Sequence, residues 1–399
     1  RRAQLPHSLG DGGLWEGSCS IAGGDWWIFP FSTCFEPLHG GGVMTKRKVV
    51  HVVGTGTIGE PLIGMLTRYR KELGIDEVTF HKRSPLLTDR SKVFALQSAG
   101  AKLAVDKERF PDFNGLEMEP TYTSEQALSQ ATVVIDCTPV GNRNKAEIYE
   151  QYRGQVKGFI AQGSEHGFGK PYALDMNDRA LVPGEDQFIQ VVSCNTHNIS
   201  ALIRSIALQE GDGENLEEGR FLCIRRASDL SQEGSFIPAP KVGRHKVERY
   251  GTHHARDARD LYATLGYDFN LFSSAMQVGT QYMHTIYFSL RLKEQVTVDE
   301  VIARLRGTER VAVSYKEMSS CVFSFGRDYG AYGRLLDHTV VPLSSLAVRD
   351  NGREVVGFCF TPQDGNSLMS SLSATLWFLD PETYLSKLSI FDRFCFAEI

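Results

Sequence analysis

The stretch Lys48-Val49-Val50-His51-Val52-Val53-Gly54-Thr55-Gly56-Thr57-Ile58-Gly59 decides the fold. Its first six residues form an apolar run with the length and β-branched content of a buried strand. Leu62, Leu66, Tyr69 and Leu73 then mark one face of a helix, with Pro61 tolerated in its first turn. A G-x-G-x-x-G turn between a strand and a helix is built to receive a dinucleotide's phosphates. Gly54 allows the tight turn, Gly56 leaves room for a pyrophosphate, and Gly59 lets the helix pack on the strand. The phosphates would meet unpaired N–H groups at the helix start.

Working outward, Glu77–His81 reads as a second strand ending in His81-Lys82-Arg83-Ser84. NAD-selective sites place an acidic residue there to hold the ribose 2′-hydroxyl. Lys82 and Arg83 suit a 2′-phosphate instead, so the reading leans toward NADP being accepted; a solvated basic turn is the alternative. Thr132–Cys137 is another buried strand, followed by Thr138-Pro139-Val140-Gly141, a helix over about 144–152 and a strand at Lys157–Gln162. Strands alternating with helices predict a parallel, doubly wound α/β sheet with a cofactor along its strand ends. Gly141 lies where a side chain would crowd the nicotinamide ribose, whereas Cys137 reads as core.

The next strand, Phe188–Val192, runs into Ser193-Cys194-Asn195-Thr196, and Ile199, Leu202, Ile203 and Ile206 continue as a helix. Cys194 therefore sits at a helix N-terminus, a setting expected to lower a thiol's pKa by about one to several units from ~8.5. A small apolar cysteine at a strand end is the structural alternative. Beyond it, Phe221–Ser228 is a strand closing on Arg225 and Arg226, which point to opposite faces. His253 and His254 open a helix, where paired imidazoles can donate to an anion such as a phosphate. The strand Tyr282–Leu290 puts His284 on one face with Ile286, Phe288 and Leu290. Such a histidine is either a satisfied core residue or a base beside a nucleophile. Thr297 and Glu300 form a capping box that starts a helix through about Arg306. Residues 309–350 read as short strands and polar loops, Phe358–Asp364 as a strand-to-turn segment, and Leu368–Phe378 as a helix.

The chain has 399 residues, enough for about two domains with sizeable cores. A net charge of −5 argues against a broad nucleic-acid or membrane footprint. Its eight cysteines are scattered without a CxxC pair or metal-like cluster, which points to a reducing, cytoplasmic setting and no bound metal. No apolar run reaches the roughly 18 residues needed to cross a bilayer. Residues 1–43 hold Trp15, Trp26 and Trp27 and show no periodicity. They read as a disordered or non-native extension, with Met44 a candidate start and a targeting peptide the alternative.

In combination, Gly54-x-Gly56-Thr57-Ile58-Gly59, Thr138-Pro139-x-Gly141, Ser193-Cys194-Asn195-Thr196, Arg225-Arg226-Ala227, His253-His254-Ala255-x-Asp257 and Met283-His284 resemble the archaeal-type (class II) glyceraldehyde-3-phosphate dehydrogenases. The motifs follow the family's order from residue 44 to about 380. The resemblance implies a Rossmann-type dinucleotide-binding domain over 44–193, with a C-terminal helical segment 366–399 packing back onto it. An α+β catalytic domain of the glyceraldehyde-3-phosphate dehydrogenase type would span 194–365. Cys194 would be the nucleophile and His284 the general base. Ser193, Asn195, His253 and His254 would hold the substrate and its phosphate. Thr57, Ile58, Gly141, Arg226 and Gln363 would contact the cofactor, NAD or NADP. The implied activity is phosphorylating oxidation of glyceraldehyde 3-phosphate by a homotetramer, with inorganic phosphate as co-substrate. Another aldehyde (erythrose 4-phosphate or aspartate semialdehyde) and a non-catalytic dinucleotide-binding role are the alternatives. The sequence departs from the family at His197, where the family has a second threonine, at Pro362-Gln363-Asp364-Gly365, and over Ser319–Tyr332.

Overall fold

A computed structural model describes residues 47–163, 165–208, 215–229, 236–362 and 364–399. The extension over residues 1–43 and Gln363 lie outside the described residues. The valine run forms β1 (Val49–Val53), and the glycine turn leads into α1 (Gly59–Arg68). There follow β2 (Glu77–His81), α2 (Arg90–Ser98), β3 (Lys102–Val105), α3 (Phe110–Gly115), β4 (Tyr122–Thr123), α4 (Ser124–Gln130) and β5 (Val133–Asp136). Next come α5 (Gly141–Glu147), β6 (Gly158–Gln162), β7 (Lys170–Tyr172), β8 (Phe188–Val191) and α6 (Cys194–Ala207).

Among the described residues β1–β8 form one sheet in the order β4-β3-β2-β1-β5-β6-β8-β7. Every pairing in it is parallel. Strand order reverses between β1 and β5, and in such sheets ligands settle in the crevice beyond that switch point. This is the Rossmann-type arrangement expected from the glycine turn.

Beyond α6 lie β9 (Leu216–Arg225), β10 (Lys241–Val242), α7 (His253–Ala263), β11 (Leu271–Gln277), β12 (His284–Leu292), α8 (Val298–Gly307), β13 (Val311–Ser314) and α9 (Ser319–Tyr329). Then come β14 (Thr339–Pro342), β15 (Ala347–Arg349), β16 (Glu354–Thr361), α10 (Gly365–Leu379) and α11 (Tyr384–Leu388). The second sheet is mixed, in the order β10-β11-β9-β12-β16-β14-β13, with β15 on β16. Its inner face packs on α6: Ile199, Leu202, Ile203 and Ile206 share a core with Phe221, Cys223, Ile286, Phe288 and Cys359. The chain thus combines a parallel α/β sheet with a mixed sheet, consistent with a glyceraldehyde-3-phosphate dehydrogenase-type fold.

All fifteen residues of α10 are buried. The helix returns to the parallel sheet, where Gln162 donates to Ser371 at 2.7 Å and the Leu174 amide to Ser370 at 3.1 Å. Its serines and threonine spend their hydroxyls on such contacts, which makes a polar helix buriable. Residues 319–329 correct the reading of 309–350 as strands and loops, because they form α9. Ser319, Ser320, Phe323, Phe325 and Gly326 are weak helix formers, and Met318 offers no side-chain cap. Packing of Val322 and Phe323 with Met283, Leu335 and Phe360 overrides that local preference. Among the described residues no helix is long and apolar enough to cross a membrane.

Candidate active site

The cleft at the switch point is built from two glycine turns. Gly54 leaves β1 at φ +96°, where an L side chain is strained, and its amide donates to the His81 carbonyl at 3.1 Å. A Cβ at Gly59 would stand 2.1 Å from the Gly54 carbonyl oxygen, so the α1 start depends on that residue being glycine. A Cβ at Gly56 would meet nothing within 4 Å, so Gly56 faces open space where a pyrophosphate can approach. Thr57 is buried and Ile58 half-buried in the same turn. Together these features fit a dinucleotide's phosphates.

Across the cleft, the β5 end is fixed by the buried Asp136. Its carboxylate accepts from the Thr138 amide (2.8 Å) and hydroxyl (2.6 Å), and from Asn144 and Tyr149 (each 2.7 Å). Gly141 starts α5, and a Cβ there would press on Ala161 and Glu165 at 3.3 Å. Packing within the protein therefore already accounts for this glycine. At the β2 end, Lys82 is buried and paired with Asp89, while Arg83 is exposed. Lys92 on α2 also reaches this cleft, donating to the Thr55 carbonyl at 3.3 Å and lying 3.5 Å from Glu60.

Cys194 is the first residue of α6 and is half-buried. Ser193 caps the helix, its hydroxyl accepting from the Thr196 amide at 3.3 Å. The Cys194 carbonyl accepts from Asn366 at 3.0 Å, which ties the nucleophile's turn to α10. The mixed sheet brings His284 to the same region. It begins β12 directly opposite Thr361, the last residue of β16. The Thr361 hydroxyl accepts from Asn198 at 2.8 Å and donates to Asn195 at 3.3 Å. Two residues of α6 therefore grip the position facing His284. His284 itself accepts at Nδ1 from the Arg226 amide at 3.0 Å, which leaves Nε2 as the outward ring nitrogen.

His253 and His254 open α7 with ring centroids 3.9 Å apart; His254 is buried and its Nδ1 has no partner among the described residues. Burial lowers the pKa of both rings, and the Arg225 charge adds to that. The unspent Nδ1 of His254 fits an incoming anion as a donor. Arg226 is buried, with its guanidinium donating to the Tyr282 carbonyl (3.3 Å) and to Asp229 (3.1 Å). Its backbone amide, in turn, orients His284. Between the α1 start and the His284 strand lies a cavity of about 330 Å³, lined by Glu60, Pro61, Met283, Gly326, Arg334 and Asp364 among others.

The electrostatics correct one expectation. Burial, and secondly Asp364, push the Cys194 thiol up to about 12 despite its helix-start position, with Arg226 pulling the other way. Loss of hydration outweighs the attraction of the arginines. Burial and then Arg226 and Arg225 bring His284 down to about 3. Asp364 is raised to about 6, again by burial. His197 is fully buried and lies between the Ser193 carbonyl (3.0 Å to Nδ1) and the Ser370 hydroxyl (2.8 Å to Nε2). It supports the turn carrying Cys194 and is turned away from solvent.

The structure thus ties the helix that Cys194 begins to His284 through Thr361, seats the Arg226 amide on His284 and sets His253 beside His254. Sequence reasoning missed Asp136, Lys92, Thr361, Asp364 and Asn366. Asp364 carried a usable signal, a lone acid beside the expected late glutamine. The others are recognisable only from contacts distant in sequence.

No protein-family model matches the chain. Among curated relatives it is 29% identical over 321 residues to a protein named glyceraldehyde-3-phosphate dehydrogenase from Hyperthermus butylicus, covering 78% of this chain and 85% of that one. A protein of the same name from Methanobacterium bryantii is 28% identical over 275 residues, covering 66% and 73%. One from Sulfolobus acidocaldarius is 26% identical over 327 residues, covering 78% and 86%. By sequence, the chain is similar over most of its length to archaeal proteins named glyceraldehyde-3-phosphate dehydrogenase.

Proposed function

We propose that this chain is an NAD(P)-dependent, phosphorylating glyceraldehyde-3-phosphate dehydrogenase of the archaeal (class II) type. The observation that supports the reading is that Cys194 begins a helix whose Asn195 and Asn198 bond Thr361, the residue opposite His284, together with the adjacent rings of His253 and His254. The Cys194 sulfur attacks the aldehyde carbon, and its proton passes to His284 Nε2 as the C–S bond forms. Asn195 and the first amides of α6 can receive the developing oxyanion. His253, His254 and Ser193 hold the substrate and its phosphate. The nicotinamide, when bound, supplies the hydride acceptor. Inorganic phosphate then attacks the thioester at Cys194, releasing the acyl phosphate and restoring the thiol. Gly54, Gly56, Thr57, Ile58 and Gly59 would hold the cofactor, with Lys92, Lys82 and Arg83 supplying positive charge on the β2 side. A cytoplasmic homotetramer belongs to the same proposal.

The test is reduction of each cofactor by purified protein given glyceraldehyde 3-phosphate, with and without inorganic phosphate. Phosphate-dependent turnover with either cofactor supports the reading, and no turnover with both sinks it. The high thiol pKa favours a second reading, a dinucleotide-binding protein without turnover. That reading is upheld if NAD or NADP binds but neither is reduced by this aldehyde, erythrose 4-phosphate or aspartate semialdehyde.

A further inference from the structure

Outside the cleft, His166, Asp257 and Asp260 form a second convergence of polar groups. His166 follows β6 in the loop leading to β7, while the two aspartates lie one turn apart on α7. One potential ligand atom from each lies within 4.8 Å of the others. His166 Nε2 stands 3.2 Å from Asp260 Oδ2. The other oxygen of each acid is committed to its own arginine: Asp257 Oδ1 accepts from Arg256 at 2.7 and 2.9 Å, and Asp260 Oδ1 from Arg259 at 3.3 Å. Asp257 is only 2% exposed, yet its Oδ2 has no hydrogen-bond partner among the described residues. A buried carboxylate oxygen without a donor loses its hydration with nothing in return, so its persistence calls for a positive partner. The oxygen borders a cavity of about 210 Å³ lined by His166, Gly169, Gln190, Val192, Asp257 and Asp260. The half-exposed His166 side chain leaves that cavity open to entering ions.

We propose that His166, Asp257 and Asp260 bind a divalent transition-metal cation of the Zn²⁺ class. One imidazole nitrogen and two carboxylate oxygens match the donor preferences of such an ion, and water would complete its shell. Bonds of about 2.0–2.1 Å place tetrahedral ligand atoms about 3.4 Å apart. The His166–Asp260 separation already meets this, and the widest pair needs to close by little more than 1 Å. All-oxygen ions such as Mg²⁺ and Ca²⁺ would have only two protein oxygens here and are disfavoured. The ion would join the β6–β7 loop to α7, the helix that carries His253 and His254 at its start, and so act as a structural clamp.

The test is a Zn²⁺ titration of chelator-dialysed protein by calorimetry, comparing wild type with His166→Gln and Asp260→Asn. Thiols such as Cys194 remain in all three proteins, so their binding cancels in the comparison. The expected result is one more tight site per chain in wild type, weakened at least about 10-fold in each variant. Zn²⁺ should also raise the melting temperature of wild type more than that of either variant. Equal stoichiometry and affinity in the three proteins, with each variant folded by circular dichroism, would overturn the proposal. That result would leave His166 as an ordinary ion-pair partner of Asp260.

Discussion

Cys194 and His284, the proposed nucleophile and base, are both neutral groups. With the thiol pushed up to about 12 and the imidazole brought down to about 3, neither is charged near pH 7. Proton transfer must then accompany attack on the aldehyde instead of preceding it. His284 stays deprotonated at every pH well above 3, so any limb in kcat/KM between pH 8 and 5 belongs to the phosphorylated substrates, whose second ionisation lies at about 6, and should persist in the residual activity of His284→Asn. A limb in wild type that this substitution removes would refute the assignment. Cys194→Ser should lower turnover by at least about 10³-fold, and His284→Asn by about 10²–10⁴-fold. Dinucleotide binding measured by fluorescence should survive both changes. Residue types and spacing made these candidates visible in the sequence. The thiol's ionisation was not, because desolvation and the nearby Asp364 depend on packing around a helix start, and position in the chain carries neither.

Among the elements, the β1–turn–α1 unit was legible because all its determinants are local. Its two glycines nevertheless do different jobs, and substitution separates them. Gly59→Ala drives a methyl into the Gly54 carbonyl, 2.1 Å away, and should destabilise the fold by about 1–3 kcal/mol in denaturant titration. Gly56→Ala enters open space, so stability should hold within about 0.5 kcal/mol. Its methyl would instead stand in the pyrophosphate's path and weaken dinucleotide binding by about 10-fold or more, read by calorimetry. α9 was illegible because its helical state comes from packing with Met283, Leu335, Val340 and Phe360 and not from its own residues. The support for the Cys194 turn was hidden for a similar reason. Its partner Asn366 is 172 residues away and the His197 partner Ser370 is 173 away. Ser370→Ala leaves both His197 Nε2 and the Leu174 amide without their partner. We expect a loss of about 1–3 kcal/mol by chemical denaturation.

At the scale of the whole molecule, buried histidines set an acid limit on stability. His51 and His197 are each brought down to about 3, chiefly by burial, with the neighbouring His81 and His338 charges adding to it. The unfolded chain takes up a proton on each near pH 6.5, while the folded chain refuses it until about 3. The unfolded state therefore binds more protons across that window, and stability falls as pH drops through it. Each histidine can contribute a slope of up to about 1.4 kcal/mol per pH unit. The melting temperature should fall from pH 7 to pH 5, and His197→Gln should flatten that fall; a flat wild-type profile would contradict this account. The two-sheet plan itself was largely readable, because alternation of strands and helices is a local pattern. The order of strands in the mixed sheet was not, since only its long-range pairings define it.

The buried helix α10 also sets a timetable. It fills the face of a sheet whose eight strands all lie before residue 192, yet it is made more than 170 residues later. A nascent chain leaving the ribosome would therefore expose the apolar floor of its first sheet throughout synthesis of the second. Completion of the first sheet, and of the Cys194 turn that Asn366 supports, must await the last helices. Such a chain folds to its working state only after translation is nearly over, and depends on being kept from aggregation until then.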